Sequence, residues 1–167
     1  MENLIREAFR HNAWATRRLI AFCRDLTPEH LASTVPATYG SILETLNHVI
    51  RWDASYLPRA RIERPAWTED ADVDDLDELD RRTDETERLW EVYFSDPLDP
   101  EQLLLLDEGA YEVQASIPVI QALHHANVHR EQVCAILTSL GIDAPDLQAW
   151  TYAEATGRAQ EVRPGNA

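Results

Sequence analysis

Apolar residues recur along this chain at three- and four-residue steps in four long stretches, the period of a helix with one buried face. The first stretch runs from Asn3 to Arg24, with Leu4, Ala8, His11, Ala15, Leu19 and Phe22 on its stripe, and ends before Thr27-Pro28. Asn12 and Trp14 are its unusual members, an amide and an indole N–H that need hydrogen-bond partners if buried. A connection follows to Gly40, with a short helical turn expected at Pro28-Glu29-His30-Leu31 and extended backbone from Val35 to Gly40, since a residue before proline is pushed out of the helical region. Ser41-Ile42-Leu43-Glu44 has the Ser-x-x-Glu form of a capping box and predicts a second helix from Ser41 to Arg61. Ile42, Thr45, Val49, Trp52 and Tyr56 form its stripe, with His48 at the edge.

The third pattern spans Asp74 to Phe94, with Leu76, Leu79, Thr83, Thr86, Leu89, Trp90 and Tyr93 facing inward, and Asp96-Pro97 stops it. Two short runs, Gln102 to Leu106 and Tyr111 to Ala115, flank Asp107-Glu108-Gly109-Ala110 and read as a small hairpin with Gly109 in the turn. Ser116 is the expected cap of the fourth helix, Pro118 is tolerated in its first turn, and Gly141 marks its end, giving a span of Ile117 to Leu140. Asp143 to Ala155 forms a short appendage with Trp150 and Tyr152, and 157–167 reads as a disordered tail. At 167 residues the chain is long enough for its own core, so one domain over 1–156 is expected. The predicted fold is all-α, a four-helix bundle with a small β-hairpin between the third and fourth helices.

Charge narrows the partners. Fifteen basic against thirty acidic residues leave a net charge of −15, which argues against nucleic acid, whose phosphates require a basic face, and against an anionic membrane surface. The acidic run Glu69 to Glu78 lacks the spacing and glycine of a calcium loop and suits a solvated approach to a helix N-terminus. Two cysteines, Cys23 and Cys134, have no metal-type spacing and fit buried thiols in a reducing cytosol. Without a basic leader or a run of ~18 apolar residues, a soluble cytoplasmic protein is expected.

The candidate chemistry lies in the fourth helix. His125 and His129, four residues apart, share a helix side with Cβ atoms about 5–6 Å apart and can aim at one point. His124 is five residues from His129, roughly 140° around the axis, and cannot join that pair. Two imidazoles turned inward need partners for their ring nitrogens, and a metal ion satisfies both. His48 on the second helix is the candidate third ligand. Three histidines leave an ion its full charge and an open coordination position, the arrangement of a catalytic zinc site. Gln132, one turn from His129, could hydrogen-bond a ligand or orient a histidine from behind. Arg130 sits on another side of that helix, where a salt bridge or dimer packing is its expected role.

Several segments together resemble the DinB/YfiT-like superfamily of metal-dependent proteins. They are His11-Asn12-Ala13-Trp14-Ala15 with Arg17-Arg18-Leu19, Leu46-Asn47-His48-Val49, His125-x3-His129-Arg130-x-Gln132, and Leu140 to Leu147 with Tyr152. Thr16 stands where relatives often carry asparagine, and Glu131 where glycine is common. The resemblance implies metal ligands His48, His125 and His129, a four-helix bundle, frequent dimers and a zinc- or nickel-type ion, with manganese or iron also suited to imidazole. Some relatives are transferases or isomerases that use low-molecular-weight thiols such as bacillithiol or mycothiol. The expected function is therefore a divalent-metal-dependent thiol S-transferase or related hydrolase acting on a small molecule, its rival a non-catalytic metal-binding or stress-related interaction protein.

Overall fold

The computed structural model describes residues 2–58, 62–106 and 109–160. Six α-helices and one two-stranded antiparallel sheet make up these residues, with a single 3-10 turn. The helices are α1 (Glu2–Cys23), α2 (Pro28–Leu31), α3 (Ile42–Ser55), α4 (Leu76–Tyr93), α5 (Ser116–Ser139) and α6 (Ala149–Ala155). Strands β1 (Leu103–Leu106) and β2 (Tyr111–Gln114) pair in register Leu103↔Gln114 through Leu106↔Tyr111. Helix α1 packs against α4 and α5, α3 packs against α4 and α5, and α6 lies on α1. No described helix is long and apolar enough to cross a membrane.

Local chemistry sets the boundaries. The capping box at the start of α3 is present, with Glu44 N–H donating to Ser41 Oγ at 3.2 Å and Ser41 N–H donating to Glu44 Oε2 at 2.7 Å. The helix ends at Ser55, six residues before the expected Arg61, because Pro58 disfavours helical geometry in the residues before it. Positions 59–61 lie outside the described residues. Thr27 caps the short α2, and Asp75 caps α4 by accepting from Asp77 N–H at 2.9 Å. Ser116 falls inside α5 instead of capping it. The cap position is Ala115, with no side-chain bond to the helix. At the other end Gly141 has φ +73, with Gly141 N–H reaching Thr138 O and Ile142 N–H reaching Leu137 O, both at 3.0 Å, a Schellman motif that the glycine permits. The hairpin turn includes 107–108, outside the described residues, and Gly109 at φ +91. Of the expected tail, 161–167 also lies outside. Within the part described, Arg158 pairs with Glu7 and lies over the Tyr152 ring at 5.0 Å.

Val35 to Gly40 is not simply extended. Thr38 N–H donates to Val35 O at 3.3 Å, and Ala37 takes φ +73 after Pro36. This is a type II turn with proline at its second position and alanine where glycine is usual.

Two apolar clusters form the core. One gathers Leu19, Ile20, Leu46, Val49, Val133, Ile136 and Leu137, the other Phe9, Leu57, Trp90, Tyr93, Phe94 and Val119. Leu4, expected on the buried stripe of α1, is 76% exposed, because the buried face there runs through Phe9, Asn12 and Thr16. A polar network falls between the clusters along α1 and α3. Asn12 Nδ2 donates to Asp53 Oδ2 at 2.9 Å and Trp90 Nε1 to Asp53 Oδ1 at 3.1 Å. Arg130 Nη1 donates to Asn12 Oδ1 at 2.7 Å, to Asn12 O at 3.3 Å and to Thr16 Oγ1 at 3.0 Å. Arg130 is therefore buried between helices, where it hydrogen-bonds Asn12 and Thr16 in place of the salt bridge or dimer packing expected of it.

Candidate metal centre

Helices α3 and α5 run side by side, and their contact brings His48 against His125 and His129. One candidate donor atom from each residue lies within 4.8 Å of the other two, and all three side chains are half-buried. Ring centroids are 4.8 Å apart for His48 and His125, 4.5 Å for His48 and His129, and 4.3 Å for His125 and His129. His48 Nε2 faces His125 Nε2 at 3.0 Å. The four-residue spacing on α5 thus does what helical geometry requires, and α3 supplies the third imidazole from the facing helix.

Burial keeps His48 and His125 uncharged. Burial, then the neighbouring His129, lower His48 to about 4, and burial, then His129 and His48, lower His125 to about 4. Both are neutral imidazoles at pH 7, the form that ligates metals.

The residues fit a divalent ion. Metal–nitrogen bonds of ~2.0–2.1 Å to a shared centre place adjacent nitrogens roughly 2.9–3.4 Å apart, and the Nε2 pair has that separation. Without an ion, two neutral imidazoles facing nitrogen to nitrogen share at most one proton. His125 Nδ1, on the other side of the ring from that pair, is buried and without a hydrogen-bond partner.

Gln132 lies against His129. His129 Nδ1 lies 2.9 Å from Gln132 Oε1, and that oxygen also accepts from Tyr39 N–H at 3.1 Å. An amide oxygen can only accept, so Nδ1 carries the hydrogen and His129 Nε2 keeps its lone pair for a ligand. The Tyr39 ring stacks on His48 with centroids 3.8 Å apart at 26° and meets His129 edge-on at 5.6 Å. The chain matches the model of the DinB family over residues 1–163.

The chain belongs to the DinB family. No curated protein matches it. In this DinB protein two further histidines stand apart from the cluster: His124 is exposed, and His11 Nε2 lies 2.9 Å from Leu147 O beside Trp14 and Tyr152. Both thiols are held protonated, Cys23 pushed up to about 12 by burial and then by Cys134, and Cys134 to about 11 by burial and then by Glu131. Arg51 answers the acidic run by donating to Asp72 Oδ1 at 2.7 Å and Asp70 O at 2.8 Å. Tyr39 and Asp53 went unnoticed in the sequence. Tyr39 is on a turn, where no periodicity points to the site. Asp53 had one available signal, the need of Asn12 for a buried partner.

Proposed function

We propose that this DinB-family protein is a divalent-metal-dependent enzyme, a thiol S-transferase or related hydrolase, built as one domain over 1–156 on a four-helix bundle of α1, α3, α4 and α5. The observation that supports this reading is the convergence of three imidazoles from two helices, two of them neutral by virtue of burial. His48, His125 and His129 would hold the ion, with zinc or nickel the first choice and manganese or iron also suited to imidazole. When bound, the ion supplies a Lewis-acid centre that favours the ionised form of a thiol or of water. Gln132 holds the His129 tautomer, and Tyr39 fixes the plane of His48 from its outer side. The chain's own thiols stay protonated, so the nucleophilic sulfur comes from a low-molecular-weight thiol cosubstrate.

The protein is proposed to act in the cytoplasm as a homodimer. Ile117, Ile120 and Val128 leave exposed apolar surface on α5, and Leu103, Leu105 and Tyr111 add more on the hairpin. Light scattering in solution tests the assembly.

Metal analysis of protein purified without a histidine tag, beside His125→Ala, tests the site, and a screen of candidate thiols and electrophiles tests the activity. One bound ion per chain, lost in the variant, with thiol-dependent turnover is the expected result. No uptake of zinc, nickel or manganese refutes the proposal. Bound metal without turnover moves the protein to the class of non-catalytic metal-binding or stress-related interaction proteins.

A further inference from the structure

His48, Trp52 and Tyr56 follow one another at four-residue steps on the side of α3 that faces His125. The Trp52 ring lies 6.2 Å from His48, 6.4 Å from His125 and 5.7 Å from Tyr56, and Tyr56 lies 5.6 Å from His125. Beyond them Gln121 Nε2 donates to the Tyr56 hydroxyl at 3.3 Å, one turn of α5 before His125. Two aromatic rings thus continue the line of the histidine cluster between α3 and α5, with the neutral Gln121–Tyr56 pair at its far end.

Trp52 is 43% exposed. An indole carries 150–250 Å² of mostly apolar surface, so leaving it open beside a cluster of donor nitrogens costs free energy that a covering group would recover. The described charges that flank it on α3 are committed elsewhere. Arg51 is held by Asp70 O and Asp72, and Asp53 accepts from Asn12 and Trp90 inside the core. None of the described ion pairs includes Trp52, Tyr56, Gln121 or the three histidines. Among the described residues, a carboxylate placed on these rings would find no uncommitted cation, whereas a flat neutral group would find two ring surfaces.

We infer that Trp52 and Tyr56 form a binding wall for the flat, uncharged part of a small-molecule substrate, an aromatic or conjugated group carried next to the atom that reacts at the histidine cluster. The inference rests on the proposed role of that cluster as the reaction centre. Ring separations of 5.6–6.4 Å from His125 are direct ring contacts, so the flat group lies over the exposed side of Trp52 beside the cluster and not between the wall and His125. The wall therefore selects the electrophile and leaves the thiol to the metal side.

The test uses nitrogen-15 NMR of the tryptophan indoles in the full chain, metal-free and zinc-loaded, titrated with 2-naphthalenemethanol. The comparison probes are its saturated decalin analogue, 2-naphthylacetate and a naphthylmethyl-trimethylammonium ion. Trp52→Phe assigns the signal. The expected result is a saturable shift of the Trp52 indole with the neutral aromatic alcohol in both forms. Its affinity should fall by about fivefold in Trp52→Leu, which keeps apolar bulk, and by more than about tenfold in Trp52→Ala. No shift, unchanged affinity in Trp52→Leu, or equal binding of the saturated or either charged probe overturns the inference. So does an indole shift that depends on protein concentration without probe, since a second copy then covers the ring. Zinc content of the same samples reports on the histidine reading separately: a wall that binds in protein unable to take up metal sinks the centre and not the wall.

Discussion

Replacing Arg130 by methionine removes the positive charge from the network that joins α1 to α5 at the level of the histidines, with little change in side-chain length. Three hydrogen bonds disappear, to Asn12 Oδ1, Asn12 O and Thr16 Oγ1, while Asp53 stays in place. Removing one of two opposite buried charges, here joined through the Asn12 amide, costs up to about 3–5 kcal/mol, because the other charge is left uncompensated. Asp53 sharpens this. Burial already raises its carboxyl from 3.8 to about 6, against the pull of Arg130, Trp90 and Asn12, so ionising it in place costs on the order of 3 kcal/mol. A raised carboxyl contributes stability that is fully present below its unfolded value and is lost as the pH rises through about 6. Without Arg130 the carboxyl moves higher still, so the deficit of the variant is largest at pH 7.5 and shrinks at pH 4.5, where Asp53 is protonated in both proteins. Urea denaturation at the two pH values measures it, and against a total stability of about 5–15 kcal/mol the loss is large. Adding Asp53→Asn should restore at least about 1 kcal/mol relative to the single variant. A deficit under about 1 kcal/mol at pH 7.5, a deficit that does not change with pH, or no recovery in the double variant refutes the account of Asp53 and Arg130 as a coupled buried pair.

Gln132→Ala should weaken metal binding about 10- to 100-fold in a chelator competition, because His129 loses the acceptor that sets its tautomer; a change within about twofold contradicts that role. Metal release on acidification should be centred below the ordinary histidine value of 6.5, near pH 5, since protons compete for His48 and His125 only as the pH approaches about 4. Release centred at 6.5 or above shows that these rings are not held neutral. At Ala37 the φ of +73 costs a non-glycine residue about 1–2 kcal/mol, so Ala37→Gly should be neutral or stabilising by up to about 1 kcal/mol and Ala37→Val destabilising by about 1–3 kcal/mol. Equal urea midpoints for the two variants would remove the strained turn from the account.

Helical period and caps carried much of the fold, because they depend on residues close in sequence. The capping box at Ser41, the acidic cap of α4 at Asp75 and the glycine end of α5 stand close to where local chemistry places them. Failures came where a tertiary choice overrode a local signal. Ser116 is a good cap residue, but the hairpin delivers Ala115 to the cap position and draws Ser116 into the helix, with Ala115 N–H bonded to Gln102 O at 2.8 Å. The stripe of α1 was misjudged at its start because Leu4 is apolar and Asn12 is not. The helix turned the other way since Asn12 has Asp53 and Arg130 to satisfy it.

The same reasoning explains why the candidate site was partly visible. His125, His129 and Gln132 share one side of one helix, so spacing alone groups them, and His48 required only that α3 be the facing helix. Arg130 is the instructive neighbour. Consecutive helix positions differ by about 100°, so a residue next to a ligand must point elsewhere, and the sequence does not say whether elsewhere is solvent or core. In the fold it is core, and this gives the turn from His129 to Arg130 two jobs. One side chain faces the histidine cluster, and the next is locked to Asn12 and Thr16 on α1, with Asp53 on α3 and Trp90 on α4 reached through the Asn12 amide. Four helices are thereby tied together by directional bonds within one turn of the candidate ligands, where apolar packing alone would tolerate a sliding of α5 against α3. Misplacing one imidazole by about 1 Å is enough to spoil a metal centre, so the bonds of Arg130 bear on the spacing of the candidate ligands as well as on the stability of the core.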